Sequence, residues 1–371
     1  MLNPPVRGYD LGSGNFILGG VVELGLNKLE ESPPDLPRLI QDVLAELGYE
    51  GDVAEVAKRV RRLDIGLPAE DEFSVVCAWL GKCELLHKLD QCQVPAESKK
   101  NFQVPDLLAR FSTQSSTSPV LIEVKSKSDK VLSFKPEYLN GLKKYAELMG
   151  MPLLIAWKFN DIWVLFDSMH MKKDSRKGVK NFKISFFDAM KENLLGVLAG
   201  DVAYSIGEGA GVHFRLRKDE LLRAEIGDDD CKIEEWKYVI EDVSFTDYMG
   251  GRLGKELSTD VQSLFATWGL ESEEVHTDSH IDLHFVAEGG GIEYAHAALV
   301  SLLNWESRRD GRPHWRRLLK EEKITESVTS FTAALYAAHG QKVVSLILHQ
   351  IPNTMPEFLP SKEEISDSFT P

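Results

Sequence analysis

The chain has 371 residues, 43% hydrophobic and 27% charged, with a formal net charge of −15. That mixture is globular and excludes a disordered, collagen-like or coiled-coil protein. No apolar run reaches the roughly 18 residues a membrane-spanning helix needs.

The opening segment lacks the basic-then-apolar order of a secretory signal. The four cysteines, Cys77, Cys83, Cys92 and Cys231, form neither a disulfide framework nor a CxxC metal knuckle. Reduced thiols and a cytoplasmic location are expected. Charge is unevenly spread. Residues 1–190 hold 25 Lys and Arg against 26 Asp and Glu, whereas residues 191–371 hold 18 against 32. An acidic chain disfavours a nonspecific nucleic-acid coat. It still leaves a near-neutral first half free to meet phosphate through a local patch.

In chain order, residues 1–68 read as a helical subdomain. Leu39, Ile40, Val43, Leu44 and Leu47 recur at helical spacing, and a second short helix covers about 52–63. Pro68 opens a third helix, about 69–89, with Phe73, Val76, Trp79, Leu80 and Leu86 facing inward. The pattern then changes to a strand at 102–111, an all-polar hairpin loop at 112–118, and an apolar strand at 119–125. Pro136 begins a helix that Gly150 ends, and strands follow at 152–158 and 161–166 around an Asn160–Asp161 turn. A polar, basic stretch and a last strand, about 182–187, complete an α/β region over 69–190, a mixed sheet flanked by helices.

Residues 191–351 read as a second, acidic α+β domain. Strands are expected near 201–206, 211–217, 236–244, 280–286 and 343–349, and helices near 257–267, 292–304 and 326–338. Residues 352–371 read as a loosely ordered tail.

Chemistry concentrates at Pro105-Asp106 and Glu123-Val124-Lys125. On a strand, Val120, Ile122 and Val124 face one side, and Leu121, Glu123 and Lys125 the other. A buried strand does not hold Glu and Lys for packing, because each charge is costly to desolvate unless paired or metal-bound. If 102–111 and 119–125 form a hairpin, Asp106 lies beside Glu123. Two adjacent carboxylates repel, and a divalent cation resolves the repulsion. Lys125 would then hold a water beside the ion, a site suited to attack on a phosphodiester.

Pro105, Asp106, Glu123 and Lys125, in this order of strand, polar hairpin, strand and helix, resemble the PD-(D/E)xK nuclease superfamily, in its RecB-like branch. The resemblance covers about 70–167. It implies a restriction endonuclease-like fold and a Mg²⁺-dependent DNA endonuclease, with Mn²⁺ able to substitute. By the resemblance Asp106, Glu123 and the Val124 carbonyl bind the metal, Lys125 orients the attacking water, and Glu72 on the preceding helix supports the ion. Asn140 and Tyr145 would take the places of a glutamine and a tyrosine that this branch often carries.

Lys127, Lys130, Lys135, Lys143 and Lys144, with Lys172, Lys173, Arg176 and Lys177 in the basic stretch, are candidate phosphate contacts. A second basic run, 308–320, surrounds Trp315 and is a candidate nucleic-acid or partner contact. The second half is expected to select a substrate or protein partner and to support a homodimer. Restriction or antiviral defence would suit such an enzyme. The alternative is a non-catalytic module that binds nucleic acid or protein through a nuclease-like fold. His280, Asp282 and His284 share one strand face, open to reading as a zinc set or as ordinary surface polarity.

Overall fold

The computed structural model describes residues 69–89, 95–114, 118–174, 180–226, 232–254, 259–306, 308–309, 312–313, 315–318 and 330–364. The expected helices within 1–68 lie outside the described residues, as do Arg176, Lys177, Cys92 and Cys231.

Helix α1 occupies residues 69–80, with Phe73, Val76, Cys77 and Leu80 buried at helical spacing. It stops nine residues short of the sequence expectation. Gly81 adopts φ +112°, and a Cβ there would collide with the Ser330 side chain. The chain therefore leaves the helix and continues as strand β1, Cys83–Lys88. Leu86, expected on the helix, lies on this edge strand.

β2 (Leu107–Phe111), β3 (Val120–Ser126), β4 (Val131–Phe134), helix α2 (Pro136–Met149), β5 (Leu153–Phe159) and β6 (Ile162–Asp167) follow. The main sheet has the order β1-β2-β3-β5-β6. Only the β3–β5 pair is parallel, and α2 makes the crossover between these two strands. Pro136 begins α2 and Gly150 caps it in the left-handed region. Asn160, at φ 53°, turns β5 into β6. This is the mixed α/β sheet flanked by helices that the sequence leads one to expect. The strand expected from 102 begins only at Leu107. Pro105 has no N–H to give a ladder, and Asp106 accepts a bond instead of joining one.

The pleat sorts β3 as its sequence implies. Val120, Ile122 and Val124 join α1, Leu107, Ala109, Leu154 and Trp163 in one apolar cluster. Leu121 joins Leu139, Leu142, Ile155 and Trp157 in a second cluster beneath α2. Strands β7 (Lys172–Lys173) and β8 (Phe182–Ser185) pair with β4 in a separate small sheet. Helices α3 (Phe186–Lys191) and α4 (Leu195–Ala199) lead into the second half, and every residue of α4 is buried.

The second half opens with β9 (Ala203–Ile206) and the long hairpin β10 (Gly211–Ile226) and β11 (Lys232–Thr246). It continues through β12 (Arg252–Leu253), α5 (Thr259–Thr267), β13 (Leu270–His276) and β14 (His280–Ala287). After β15 (Glu293–Tyr294) and α6 (Ala295–Glu306), a two-residue pair β16 (Arg308–Arg309) and β17 (Arg312–Pro313) precedes α7 (Trp315–Leu318). Helix α8 (Phe331–Gly340) and β18 (Val344–Leu348) complete it. Five strands form a sheet in the order β12-β11-β10-β14-β13. Trp315 is buried in the core, so its basic run does not offer that ring to a base.

The α1 cluster continues without a break into this half through Tyr204, Leu264, Leu299, Leu335 and Leu359. Polar bonds cross the same boundary. The Trp163 N–H donates to His296 Nε2 at 3.0 Å, which leaves Nδ1 as the donor to Asp201 at 2.7 Å. The Leu165 N–H donates to Asn193 Oδ1 at 2.9 Å, and Ser330 Oγ to the Leu80 carbonyl at 3.0 Å. The second half thus covers the α1 side of the first sheet and leaves the α2 side, with Glu123 and Lys125, on its other face.

Candidate active site and cation centre

The antiparallel register pairs Leu107 with Ile122, so residue 106 stands level with residue 123. Asp106 is anchored there by the Val124 N–H, which donates to Oδ2 at 2.8 Å. Glu123 and Lys125, two apart on β3, project together toward α2. Lys125 Nζ donates to Glu123 Oε1 and to the Val124 carbonyl at 3.1 Å, and lies 4.0 Å from Asp106 Oδ2. Tyr138 of α2 donates its hydroxyl proton to the same Oε1. The hydroxyl oxygen lies 3.4 Å from Lys125 Nζ.

Glu123 is 0% exposed. Its Oε1 is crowded with donors, yet Oε2 is buried without any partner. Burial, opposed by Lys125 and reinforced by Asp106, pushes the Glu123 carboxyl up to about 7. Burial works against the Lys125 ammonium, but Glu123 and Asp106 outweigh it and hold the group above the usual lysine range. Burial, then the Glu123 charge, raises the Tyr138 phenol, which keeps it a proton donor.

An orphaned buried carboxylate oxygen is expensive and calls for a partner. The oxygens gathered here, from Glu123, Asp106 and the Val124 carbonyl, are hard ligands suited to Mg²⁺ or Mn²⁺. Mg²⁺ is commonly held by one or two carboxylates and keeps several waters. The residues fit a divalent cation of that kind. Among the described residues no three His, Cys, Asp or Glu side chains converge, so protein ligation would rest on this pair and the carbonyl.

Glu72 does not join them. Its carboxylate accepts from Trp163 Nε1 at 2.9 Å and pairs with Lys158 at 2.6 Å, on the α1 face of the sheet, opposite Glu123. Glu70, two residues earlier, feels Asp106. Burial and then that carboxylate raise its proton affinity, while Lys88 at 3.2 Å opposes them. Two residues turn a helix by roughly 200°, so only one of these glutamates can face Asp106. The sequence carries both in one short segment, and nothing in their spacing selects between them.

Tyr138 escaped the sequence reading because attention fell on Asn140 and Tyr145. Asn140 is exposed and Tyr145 packs against the apolar cluster under α2. The available signal was position: Tyr138 is the third residue of α2, where the helix begins beside β3. Of the basic candidates, Lys127, Lys130, Lys135, Lys144, Lys172 and Lys173 are exposed, and Lys143 is half-buried.

Residues 92–191 match the family model of the archaeal Holliday junction resolvase, Hjc. Among solved structures, Hjc of Archaeoglobus fulgidus, a Holliday junction resolvase from an archaeal hyperthermophile, is similar at 20% identity. The likeness covers 33% of this chain and 89% of that one, with a TM-score of 0.26. No curated protein matches the chain. The matched family segment holds Asp106, Glu123, Lys125 and Tyr138, and agrees with the PD-(D/E)xK resemblance of the N-terminal half. It stops at α3 and leaves the second half unassigned.

Proposed function

We propose that the chain is a Mg²⁺-dependent endonuclease that cleaves DNA, with Asp106, Glu123 and the Val124 carbonyl as ion ligands and Lys125 beside them. The observation that carries the reading is the unpartnered, fully buried Glu123 oxygen between an anchored carboxylate and a held ammonium. A bound divalent ion would supply Lewis-acid polarisation of the phosphate and of its own waters. Lys125 keeps its proton, so it serves to orient an attacking water and to meet charge that builds on the phosphoryl oxygens. Asp106 is held in place by the Val124 N–H and contributes an acceptor oxygen without needing to reorganise. Exposed lysines at 127, 130, 144, 172 and 173 would meet the backbone phosphates. The family match makes branched DNA the first substrate to try, and restriction or antiviral defence is the setting proposed for it.

The test is cleavage of plasmid and of a four-way DNA junction in Mg²⁺, by wild type, Asp106→Ala and Lys125→Ala. Each variant should lose about 10³-fold or more in rate, and chelation should abolish cleavage. Equal residual nicking by all three proteins overturns the reading.

A further inference from the structure

We propose that Tyr138 is a positioning residue that fixes Glu123 as a one-oxygen ligand, occupying Oε1 so that Oε2 alone is presented to a divalent cation. The proposal rests on the metal-site reading above.

A free carboxylate can offer either oxygen, or both, and can swing between these modes. Glu123 has lost that freedom. Oε1 receives the Tyr138 hydroxyl proton and the Lys125 ammonium, while Oε2 receives nothing. A cation seated on Oε1 would sit against the Lys125 charge, so repulsion as well as crowding directs it to Oε2.

Tyr138 is itself well held. Its ring meets Phe134 edge-on at 5.7 Å, and Phe134 is buried. The Lys125 ammonium lies 5.5 Å from the ring centroid. The phenol is held on one side by β4 and on the other by the ion pair it serves. Lys125 acts on the same oxygen but is also a candidate for the phosphate, and a group shared in that way cannot hold Glu123 alone. Tyr138 has no such second task on the page. Partners that orient a ligating carboxylate typically contribute 10- to 100-fold in metal affinity.

Tyr138→Phe removes the hydroxyl and keeps the ring that packs on Phe134. Mn²⁺ binding to the full chain, followed by the loss of the free-ion electron paramagnetic resonance signal, should weaken about 10- to 100-fold. The melting temperature without metal should stay near that of wild type. In cleavage, the Mn²⁺ concentration for half-maximal rate should rise in step with the binding constant. The rate at saturating Mn²⁺ should recover to within several-fold of wild type.

Binding within twofold of wild type overturns the proposal. So does a lowered melting temperature joined to a rate that excess Mn²⁺ does not restore, because Tyr138 would then be a packing residue. If wild type itself neither binds Mn²⁺ nor cleaves, the metal-site reading has failed, and that failure is visible without the variant.

Discussion

The two five-stranded sheets treat charge in opposite ways. In the first, Glu123 and Lys125 sit on a central strand with one carboxylate oxygen sealed and unanswered. In the second, the polar face of β10, β11 and β14 answers its charges on the surface. Arg215 holds Asp282 through two bonds at 2.8 and 3.0 Å, Arg217 and His280 meet Glu241, Arg252 meets Asp242, and His213 lies 2.9 Å from His284. The candidate zinc set of His280, Asp282 and His284 is therefore distributed among neighbours, and these side chains form no three-residue metal cluster among the described residues. Both faces looked equally chemical as strings of letters. What separates them is burial without satisfaction: a polar group retained at a cost points to a ligand, and one paired in water does not.

The sharpest way to break this contrast uses the two glutamates of α1. Glu70→Gln should lower cleavage about tenfold or more, because Glu70 acts on Asp106 across the site. Glu72→Gln should leave cleavage near wild type. It would cost stability instead, about 1–3 kcal/mol by chemical denaturation, since Lys158 loses its partner in a largely buried place. The reverse pattern would return Glu72 to the site and place the metal on the other face of the sheet.

These glutamates also mark how far the sequence could be read. Alternation along VLIEVK placed Glu123 and Lys125 on one face, and the hairpin brought Asp106 level with them, because strand pairing converts spacing directly into proximity. Helical partners come from another element at an angle that the sequence does not print, so Glu70 and Tyr138 stayed hidden behind Glu72, Asn140 and Tyr145. The helix that ended at Gly81 instead of residue 89 has a similar origin. Its signal is a contact with Ser330, far away in the chain, where the side chain of any other residue would clash. The second half yielded most of its elements from periodicity. The extent of the β10–β11 ribbon and the existence of β13 were missed, because their outward-facing residues carry little apolar alternation.

A finer test uses pH. The Glu123 carboxyl gives up its proton at about 7 in the folded chain against an ordinary value of 4.5. Between those values the folded state holds a proton that the unfolded state has released, so this group's contribution to stability falls as pH rises through the window. The contribution is complete below about 4.5 and gone above about 7, and a shift of this size corresponds to roughly 2–3 kcal/mol. Lys125 stays charged throughout and adds no slope there. Glu293, also raised to about 7 by burial, adds a slope of its own, but equally in both proteins. Melts of metal-free wild type and Glu123→Gln from pH 5 to 8 should therefore diverge, with wild type losing ground as pH increases. Parallel curves would mean that the buried carboxylate is already satisfied, and the contrast between the sheets would lose its basis.

The smallest effect is expected on the second sheet, and its smallness is the point. Arg215→Ala opens the double bond to Asp282, yet Arg215 is exposed and water can replace it at once. Melting temperature and cleavage should both be unchanged within error, at low salt and at high. Exposed ion pairs hold two flexible side chains in one geometry for little Coulomb gain, and added salt screens even that. A clear fall in cleavage with stability intact would instead make this polar face part of the substrate path. The paired charges of β10 and β14 would then be a resting arrangement that nucleic acid opens, and satisfaction in water would no longer distinguish a surface from a site.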